Sequence, residues 1–168
     1  MIRPGKREEA QILTGLSFES KGFWAYPKEY FDVWKPELTI TSDYIEKNDV
    51  LVFESEGAIV GYYSIVELEN DIEASGIKID KGYWLEHMFI APKYIGRGIG
   101  KIMFEHLRKR CEIKGIRQLG ILSDPNARGF YEKMGCTYQR ELPSTISGRT
   151  TPLLVLTVGN EIGQQGCS

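Results

Sequence analysis

The chain has 168 residues, of which 42% are hydrophobic and 26% charged, and its formal net charge is −2. These proportions are ordinary for a globular domain and exclude collagen-like, low-complexity and disordered chains. Since no run of about 18 apolar residues occurs, a membrane-spanning helix is excluded. The slightly acidic balance argues against a general nucleic-acid-binding protein.

The first half of the chain is predicted to form helices followed by a pair of strands. Apolar residues recur at helical spacing over residues 8–18, and Pro27 suits the first turn of a second helix. Glu56-Gly57 is a plausible hairpin turn between the two strands. The predicted elements are a helix over residues 8–18, a helix from Pro27, a short helix to Glu46 capped by Thr41, Ser42 or Asp43, and strands over residues 50–54 and 59–67.

The second half alternates strands and helices. Residues 98–114 have apolar side chains at helical spacing and basic ones on the other face, and Gly115 would end this helix. The polar segment 69–81 predicts a loop. The remaining predictions are strands over residues 83–91, 118–122, 136–141 and 153–158, and a helix over residues 125–134. We expect one domain over residues 1–159 and a flexible tail over residues 160–168.

Cysteines, histidines and the N-terminal segment favour a cytoplasmic protein with reduced thiols and no metal. The segment MIRPGKREEAQ contains no apolar stretch typical of a secretory signal. Cys111, Cys136 and Cys167 are odd in number and match no zinc or disulfide spacing. His87 and His106 are too far apart in the chain to form an HxxxH pair of metal ligands.

A glycine-rich loop joins the strand over residues 83–91 to the basic helix, in the sequence PKYIGRGIGKIMFEHL. Gly96, Gly98 and Gly100 let another molecule approach the backbone, and the free N–H groups of a helix N-terminus favour an anion. The spacing fits neither the Walker pattern GxxxxGK[ST] nor the dinucleotide pattern GxGxxG. The loop therefore predicts a pyrophosphate site or, alternatively, a turn whose glycines serve tight packing.

The segment LEHMFIAPKYIGRGIGKIMFEHL, followed by DPNARGFYEKMGC, resembles the GCN5-related N-acetyltransferase (GNAT) superfamily. The first segment is similar to the family's acetyl-CoA loop and the second to its downstream helix, and the clear match covers residues 83–141. The resemblance implies an α/β (α+β) single domain. Its central sheet would be mixed, mostly antiparallel and twisted, with about six to seven strands, helices on both faces and a splay at the central parallel strands.

The resemblance implies acetyl-CoA as acyl donor and assigns it to this strand and loop. Backbone groups of Phe89, Ile90 and Ala91 would pair with the pantetheine arm, and Ile90 N–H would donate to the thioester oxygen; ordinary strand pairing is the alternative. Asn126 would contact the pantetheine or cap the following helix. The pyrophosphate would bind the loop residues Ile95, Gly96, Arg97, Gly98, Ile99, Gly100 and Lys101.

The loop departs from the family pattern at Ile95, where the family usually has Gln or Arg. Because the family's loop binds pyrophosphate largely through backbone N–H groups, this change should weaken the pattern without abolishing binding. Arg97 or Lys93 would supply the lost charge.

Two side chains match catalytic positions of the family. Tyr131 corresponds to the general acid that protonates the leaving thiolate, with packing as its alternative role. Glu86 corresponds to a general base of some members, with a structural role as the alternative, and His87 is the rival base. Strand alternation places Glu86 and Ile90 on one face of the strand and His87 on the other.

The resemblance implies an N-acetyltransferase that moves acetyl from acetyl-CoA to an amine of a small molecule or peptide by direct attack in a ternary complex. A non-catalytic CoA-binding module of the same fold is the alternative. Residues 43–73 have a net charge of −8, which favours a cationic acceptor. Residues 93–117 have a net charge of +6, which suits one anionic ligand or a solvated helix face.

Two further expectations concern the acceptor and the assembly. Trp24, Tyr26 and Tyr30 belong to an aromatic-rich segment that would line the acceptor cavity or form part of the core. The C-terminal segment PSTISGRTTPLLVLTV could supply an edge strand for a homodimer.

Overall fold

The computed structural model describes residues 1–74 and 76–159. The strands are β1 (Ile2–Pro4), β2 (Asp49–Ser55), β3 (Ala58–Leu68), β4 (Ile72–Ala74), β5 (Ile77–Ile79), β6 (Gly82–Ile90), β7 (Gln118–Leu122), β8 (Thr137–Pro143) and β9 (Thr150–Thr157). The α-helices are α1 (Ala10–Gly22), α2 (Lys28–Leu38), α3 (Ser42–Lys47), α4 (Ile99–Lys114) and α5 (Arg128–Lys133). Among these residues, no helix combines the length and the apolar character needed to cross a membrane.

Seven strands form one mixed sheet in the order β1-β2-β3-β6-β7-β9-β8, and β4 and β5 form a separate two-stranded hairpin. Neighbouring strands of the large sheet are antiparallel, except that β6 and β7 are parallel. The predicted fold class, a mixed and mostly antiparallel sheet flanked by helices, is confirmed.

Helices pack on both faces of this sheet because side chains alternate along its strands. Leu51 of β2 belongs to a core cluster with Leu107 of α4. The next residue, Val52, packs on the opposite face against Leu13 of α1. Helix α2 contributes a third, smaller cluster around Trp34.

The parallel strands β6 and β7 separate soon after they pair. Their ladder joins residues 83–85 to residues 119–121, and the rest of β6, through Ile90, has no ladder partner in β7. Gly120 allows the close contact at the paired end, because a Cβ there would lie 2.6 Å from the Trp84 ring. The predicted splay is therefore present, and it opens a cleft between the C-terminal parts of the two strands.

Local sequence signals predicted the elements around this cleft well. Strand β7 has the predicted bounds, and α4 ends at Gly115, whose φ of 71° is the left-handed conformation expected of a helix-ending glycine.

The loop predicted over residues 69–81 is wrong in part, because it contains the β4–β5 hairpin. There the Asp71 carboxylate accepts a hydrogen bond from Lys81 N–H at 2.7 Å. Strand β1 was not predicted, and it exists through its pairing with β2.

The C-terminal strand does not lie at an edge of the sheet. Strand β9 runs between β7 and β8, so both of its edges are paired and β8 is the edge strand. The prediction that this strand supplies a dimerisation edge is therefore wrong, and the homodimer stays a prediction. Residues 160–168, predicted as a flexible tail, lie outside the described residues.

Candidate functional site

The unpaired edge of β6 presents backbone groups to the cleft. Ala91 N–H donates to Val60 O of β3 at 2.8 Å. Because N–H groups alternate between the two edges of a strand, Phe89 also directs its N–H to β3, whereas Ile90 and Met88 direct theirs to the cleft. The structure thus agrees with the position predicted for Ile90 and corrects the backbone pairing predicted for Phe89 and Ala91. Met88 was missed, although strand alternation would have indicated it.

Helix α1 covers one side of this edge. Ile90 N–H lies 3.4 Å from Ser20 Oγ, beyond the usual range of a strong hydrogen bond, and Ser20 is buried. This weak bond leaves the Ile90 N–H available to a better acceptor in the cleft.

The glycine loop turns from β6 into α4 through left-handed backbone. Gly96 has φ 82° and Gly98 has φ 81°, conformations that side-chain-bearing residues rarely adopt. Gly98 precedes the first residue of α4, and its carbonyl accepts the Ile102 N–H at 3.2 Å. The N–H groups of residues 98–101 come before this first bond of the helix, so they have no acceptor within the helix.

The first turn of α4 is packed tightly against the strand and α5. A Cβ added to Gly100 would lie 3.3 Å from Ile90 Cδ1 and 3.3 Å from the Phe130 ring. Glycine at this position therefore lets the free amides of the helix lie next to the end of β6. Ile99, by contrast, is buried and directs its side chain into the core.

Cations surround the loop on its solvent side. Lys93, Arg97 and Lys101 are exposed. The Lys93 ammonium and the Arg97 guanidinium lie 5.1 and 5.4 Å from the Tyr94 ring centroid. Free amides, left-handed glycines and three cations together fit the diphosphate of a CoA molecule. The half-buried Ile95 contributes no charge.

Tyr131 of α5 belongs to the core cluster that also contains Leu119 and Ile121 of β7. Its side chain is only 7% exposed, and its ring centroid lies 5.3 Å from that of Phe130. Burial, with smaller contributions from the Cys136 thiol and the Asp124 carboxylate, raises the pKa of Tyr131 above its usual value. The phenol is therefore protonated at neutral pH and can act as a proton donor.

Glu86 is the extra residue of a β-bulge in β6. Ser64 of β3 lies opposite His87 and the next residue of β3 lies opposite Leu85, so Glu86 has no partner. The bulge interrupts strand alternation: Leu85 and Ile90 pack towards α4, while Glu86 contacts Tyr44 of α3 on the other face. The prediction that Glu86 shares a face with Ile90 is therefore wrong, and Glu86 and His87 lie together.

A short hydrogen-bond chain orients the Glu86 carboxylate. Tyr44 Oη donates to Glu86 Oε2 at 2.9 Å and lies 2.8 Å from Ser64 Oγ. Burial raises the pKa of Glu86, and the Tyr44 hydrogen bond partly opposes this rise. Because 42% of the Glu86 side chain is exposed, solvent can still exchange protons with the carboxylate.

His87 is a buried and neutral neighbour of Glu86. Its side chain is 7% exposed, its ring stacks on Phe89 at 5.6 Å, and burial lowers the pKa of His87 to about 4. Its Nε2 lies 3.8 Å from Glu86 Oε1, too far for a hydrogen bond. Glu86 is therefore the better-placed candidate base, and His87, the rival base, packs in an aromatic stack.

Three aromatic residues form a cluster beside the cleft. The rings of Tyr26, Tyr30 and Trp34 have centroids 5.0 to 6.1 Å apart. Trp24, which the sequence grouped with Tyr26 and Tyr30, instead packs edge-on against Phe23 at 4.9 Å and is 40% exposed. Trp34 takes the place expected of Trp24.

Asp124 connects this aromatic cluster to the end of β7. Its carboxylate accepts hydrogen bonds from Tyr26 Oη at 2.8 Å and from Lys21 Nζ at 2.7 Å. Asn126 Nδ2 donates to the same Tyr26 hydroxyl at 2.8 Å. Asp124, rather than Asn126, caps the helical turn, because its carboxylate accepts the Asn126 N–H. Although burial alone would raise the pKa of Asp124, Lys21 and these hydrogen bonds hold it below its usual value.

Comparison with known proteins assigns this chain to a family. A family model described as an acetyltransferase (GNAT) domain matches residues 46–136. The peptidyl-lysine N-acetyltransferase YiaC of Escherichia coli (strain K12) is 30% identical over 154 residues, which cover 87% of this chain and 94% of YiaC. The chain belongs to the GNAT acetyltransferase family.

Solved structures share the fold of this GNAT chain. The PaiA N-acetyltransferase from Thermoplasma acidophilum, solved in complex with coenzyme A, has a TM-score of 0.72 and 17% identity over 94% of this chain and 98% of its own. A GCN5-related N-acetyltransferase from Rhodopseudomonas palustris has a TM-score of 0.73 and 18% identity over 94% of each chain. The family resemblance and the fold class inferred from the sequence are both confirmed.

Several residues of this GNAT site were not singled out in the sequence. Lys21, Asp124 and Arg149 contact the aromatic cluster from three distant parts of the chain. Asp124 was detectable, since Asp before Pro-Asn is a common capping pattern. No local sequence pattern indicated Arg149, because its contact is with Tyr26, which lies 123 residues away in the chain.

Proposed function

We propose that this GNAT acetyltransferase transfers the acetyl group of acetyl-CoA to an aliphatic amine of a peptide or protein, by direct attack in a ternary complex. The observation that supports the proposal is the cleft between the splayed strands β6 and β7, which the Ile90 N–H faces close to the free amides of residues 98–101. The buried phenol of Tyr131 would supply a proton there. The name of the relative YiaC, a peptidyl-lysine N-acetyltransferase, supports lysine as the acceptor. Residues 1–159 would act as one domain, and the cytoplasmic location stays a prediction.

Binding of acetyl-CoA would use backbone more than side chains. The amides of residues 98–101 and the exposed Arg97 and Lys101 would hold the diphosphate, which compensates for the uncharged Ile95. The pantetheine arm would then lie along the cleft-facing groups of Met88 and Ile90. The Ile90 N–H would exchange its 3.4 Å contact with Ser20 for the thioester oxygen, on which negative charge develops during attack.

Two proton transfers accompany acetyl transfer. A lysine ammonium first releases one proton to water and becomes a neutral amine. Its nitrogen then forms a bond to the carbonyl carbon, the C–S bond breaks, the nitrogen loses a second proton and the thiolate gains one. Glu86, whose carboxylate is held by Tyr44 and accessible to solvent, would take the amine proton directly or through water. Tyr131, whose buried phenol stays protonated, would supply the proton to the sulfur.

Replacing Tyr131 by Phe separates catalysis from binding. The Tyr131→Phe variant keeps the ring that packs on Phe130 and loses only the donor, so we expect kcat to fall by about 100-fold with the CoA dissociation constant unchanged. Release of free thiol from acetyl-CoA with a lysine peptide measures kcat, and calorimetry with CoA measures binding. Tyr138→Phe is the matched control, because Tyr138 Oη bonds Glu141 on the edge strand β8.

The two outcomes distinguish an enzyme from a binding module. Turnover in the wild type that is lost in Tyr131→Phe but kept in Tyr138→Phe supports the proposal. A wild type that binds CoA but acetylates no polyamine, amino acid, aminoglycoside or peptide would contradict it and favour a non-catalytic CoA-binding module.

A further inference from the structure

The aromatic cluster of Tyr26, Tyr30 and Trp34 has the geometry of a cation cage. The Trp34 ring is nearly perpendicular to both tyrosine rings, at interplanar angles of 79° and 73°. When rings are set at such angles, the faces of several rings border the same space. The face of an aromatic ring carries partial negative charge and attracts a cation. Trp34 is only 5% exposed, so a cation in contact with its ring is partly removed from water.

Two cations of the chain itself already lie against these rings. The Arg149 guanidinium carbon lies 4.7, 5.4 and 5.6 Å from the centroids of Tyr26, Tyr30 and Trp34. Lys21 Nζ lies 4.3 Å from the centroid of Trp34 and 5.4 Å from that of Tyr26. The cage therefore binds positive charge, and Arg149 is the cation that all three rings share.

The two cations are held with very different strength. Lys21 forms an ion pair with the Asp124 carboxylate at 2.7 Å, and both side chains are largely buried. Arg149 makes a hydrogen bond of 3.3 Å to Tyr26 Oη, and among the described residues no carboxylate lies within 4.0 Å of its guanidinium. Lys21 is thus held by a buried ion pair, whereas the Arg149 side chain has one long hydrogen bond and its contacts with the rings.

Arg149 reaches the cage with its side chain alone, because hydrogen bonds to Ser144 and Ile146 hold its backbone in a turn. It lies between β8 and β9, next to Gly148, whose φ is 78°. Ile146 anchors the start of this turn by packing with Trp34 and Leu38. A change in the side-chain torsions of Arg149 would clear the rings and leave the anchored turn in place.

The cage adjoins the cleft in which the acetyl group would lie. Phe89 of β6 packs against the cluster that contains Trp34. Asp124 and Asn126, at the carboxyl end of β7, both bond the Tyr26 hydroxyl. The rings therefore lie between the two splayed strands and the surface turn that carries Arg149.

We propose that Tyr26, Tyr30 and Trp34 form a subsite for the cationic ammonium of the acceptor, and that Arg149 occupies it until the acceptor displaces it. This inference rests on the proposed N-acetyltransferase function and specifies its acceptor as an amine that is cationic at neutral pH, such as a lysine side chain. Arylamines, which are neutral at that pH, would lack the charge that the rings attract.

Calorimetry in the absence of acetyl-CoA tests the subsite independently of turnover. The two probes are a blocked glycine pentapeptide with a central lysine and the same peptide with norleucine, which has the four side-chain carbons of lysine without the ammonium group. We expect the wild type to bind the lysine peptide more tightly than the norleucine peptide. The preference should reach at least fivefold in Arg149→Met, where no internal cation has to be displaced, since a cation–π contact contributes about 1 kcal/mol or more.

Removing the internal competitor should tighten binding. In Arg149→Met no guanidinium competes for the aromatic rings. We therefore expect the lysine peptide to bind this variant about three- to tenfold more tightly than it binds the wild type. Arg149→Lys keeps a competing cation and should show a smaller gain. Arg140→Met, which changes an exposed arginine of β8, should show none. Tyr30→Leu removes one ring face and should weaken binding in every background.

The outcomes separate this inference from the proposed function. Unchanged or weaker lysine-peptide binding by Arg149→Met, or equal binding of both peptides by the wild type, overturns the displaced-cation subsite. Charge-dependent binding that tightens in Arg149→Met supports the subsite, even if no acetyl transfer is detected. If binding depends on charge and tightens in Arg149→Met but no acetyl transfer is detected, the proposed acetyltransferase function fails and the subsite stands.

Discussion

At the scale of single residues, the bulge at Glu86 decides which side chains meet. One unpaired residue in β6 places Glu86 beside Tyr44 and Ser64 instead of on the α4 face. The same bulge leaves His87 buried in an aromatic stack, where burial lowers the pKa of His87 to about 4. The half-exposed carboxylate is therefore the one of this pair that we propose as proton acceptor, and the imidazole is its packing neighbour.

The Tyr44 hydroxyl should set the acid limb of the pH–rate profile. Its hydrogen bond stabilises the charged form of Glu86 and lowers the pKa of Glu86, against the larger raising effect of burial. In Tyr44→Phe the pKa of Glu86 should rise further. Because a general base must be unprotonated, kcat/KM should then begin to fall at a higher pH than in the wild type.

The measurement is kcat/KM for the lysine peptide across the acid range. Tyr83→Phe, which changes another half-buried tyrosine near the start of β6, is the control and should keep the wild-type limb. An acid limb that stays in place or moves to lower pH in Tyr44→Phe would exclude Glu86 as the titrating base.

At the scale of elements, the cleft depends on a short contact between β6 and β7. Trp84 lies over Gly120, and its indole Nε1 donates to Asp80 O at 2.9 Å, which fixes the ring. Only three residue pairs join the two strands before they separate. Packing at this contact therefore holds the strands in the position from which the splay begins.

A single methyl group at Gly120 should destabilise the fold. A Cβ there would lie 2.6 Å from the fixed Trp84 ring, so we expect Gly120→Ala to lower the free energy of unfolding by about 1–3 kcal/mol. Urea unfolding followed by circular dichroism measures the change. Gly15→Ala in α1 is the matched control: its Cβ meets nothing within 4 Å, so it should stabilise the protein by about 0.4–1 kcal/mol. Equal stability of Gly120→Ala and the wild type would show that Trp84 moves freely.

Elements were predictable from the sequence where the signals are local. The periodic apolar residues and the end at Gly115 determine α4, and Thr41 caps α3 through the Tyr44 N–H as one of the three predicted alternatives. The bulge at Glu86 was not predictable, because it depends on the register with Ser64 of β3. The place of β9 inside the sheet depends likewise on long-range pairing, which strand propensity alone does not reveal.

At the scale of the whole molecule, the fold pairs some charges of the acidic segment of the sequence with charges of the basic segment. The acidic segment 43–73 and the basic segment 93–117 meet where Asp49 of β2 pairs with Arg110 and Lys114 of α4, at 2.6 and 3.3 Å. Part of each charged segment is thus neutralised inside the fold. The cations at the loop end of α4 remain exposed, and they surround the amides proposed to hold the diphosphate.

The backbone amides of the cleft can be measured one by one. Hydrogen exchange of the backbone N–H groups, recorded with and without CoA, reports on each position separately. CoA should slow exchange at residues 98–101 and at Ile90, while amides at the opposite end of α4, near Lys114, stay unchanged. CoA binding that leaves the exchange of residues 98–101 and Ile90 unaltered would show that these amides do not hold CoA.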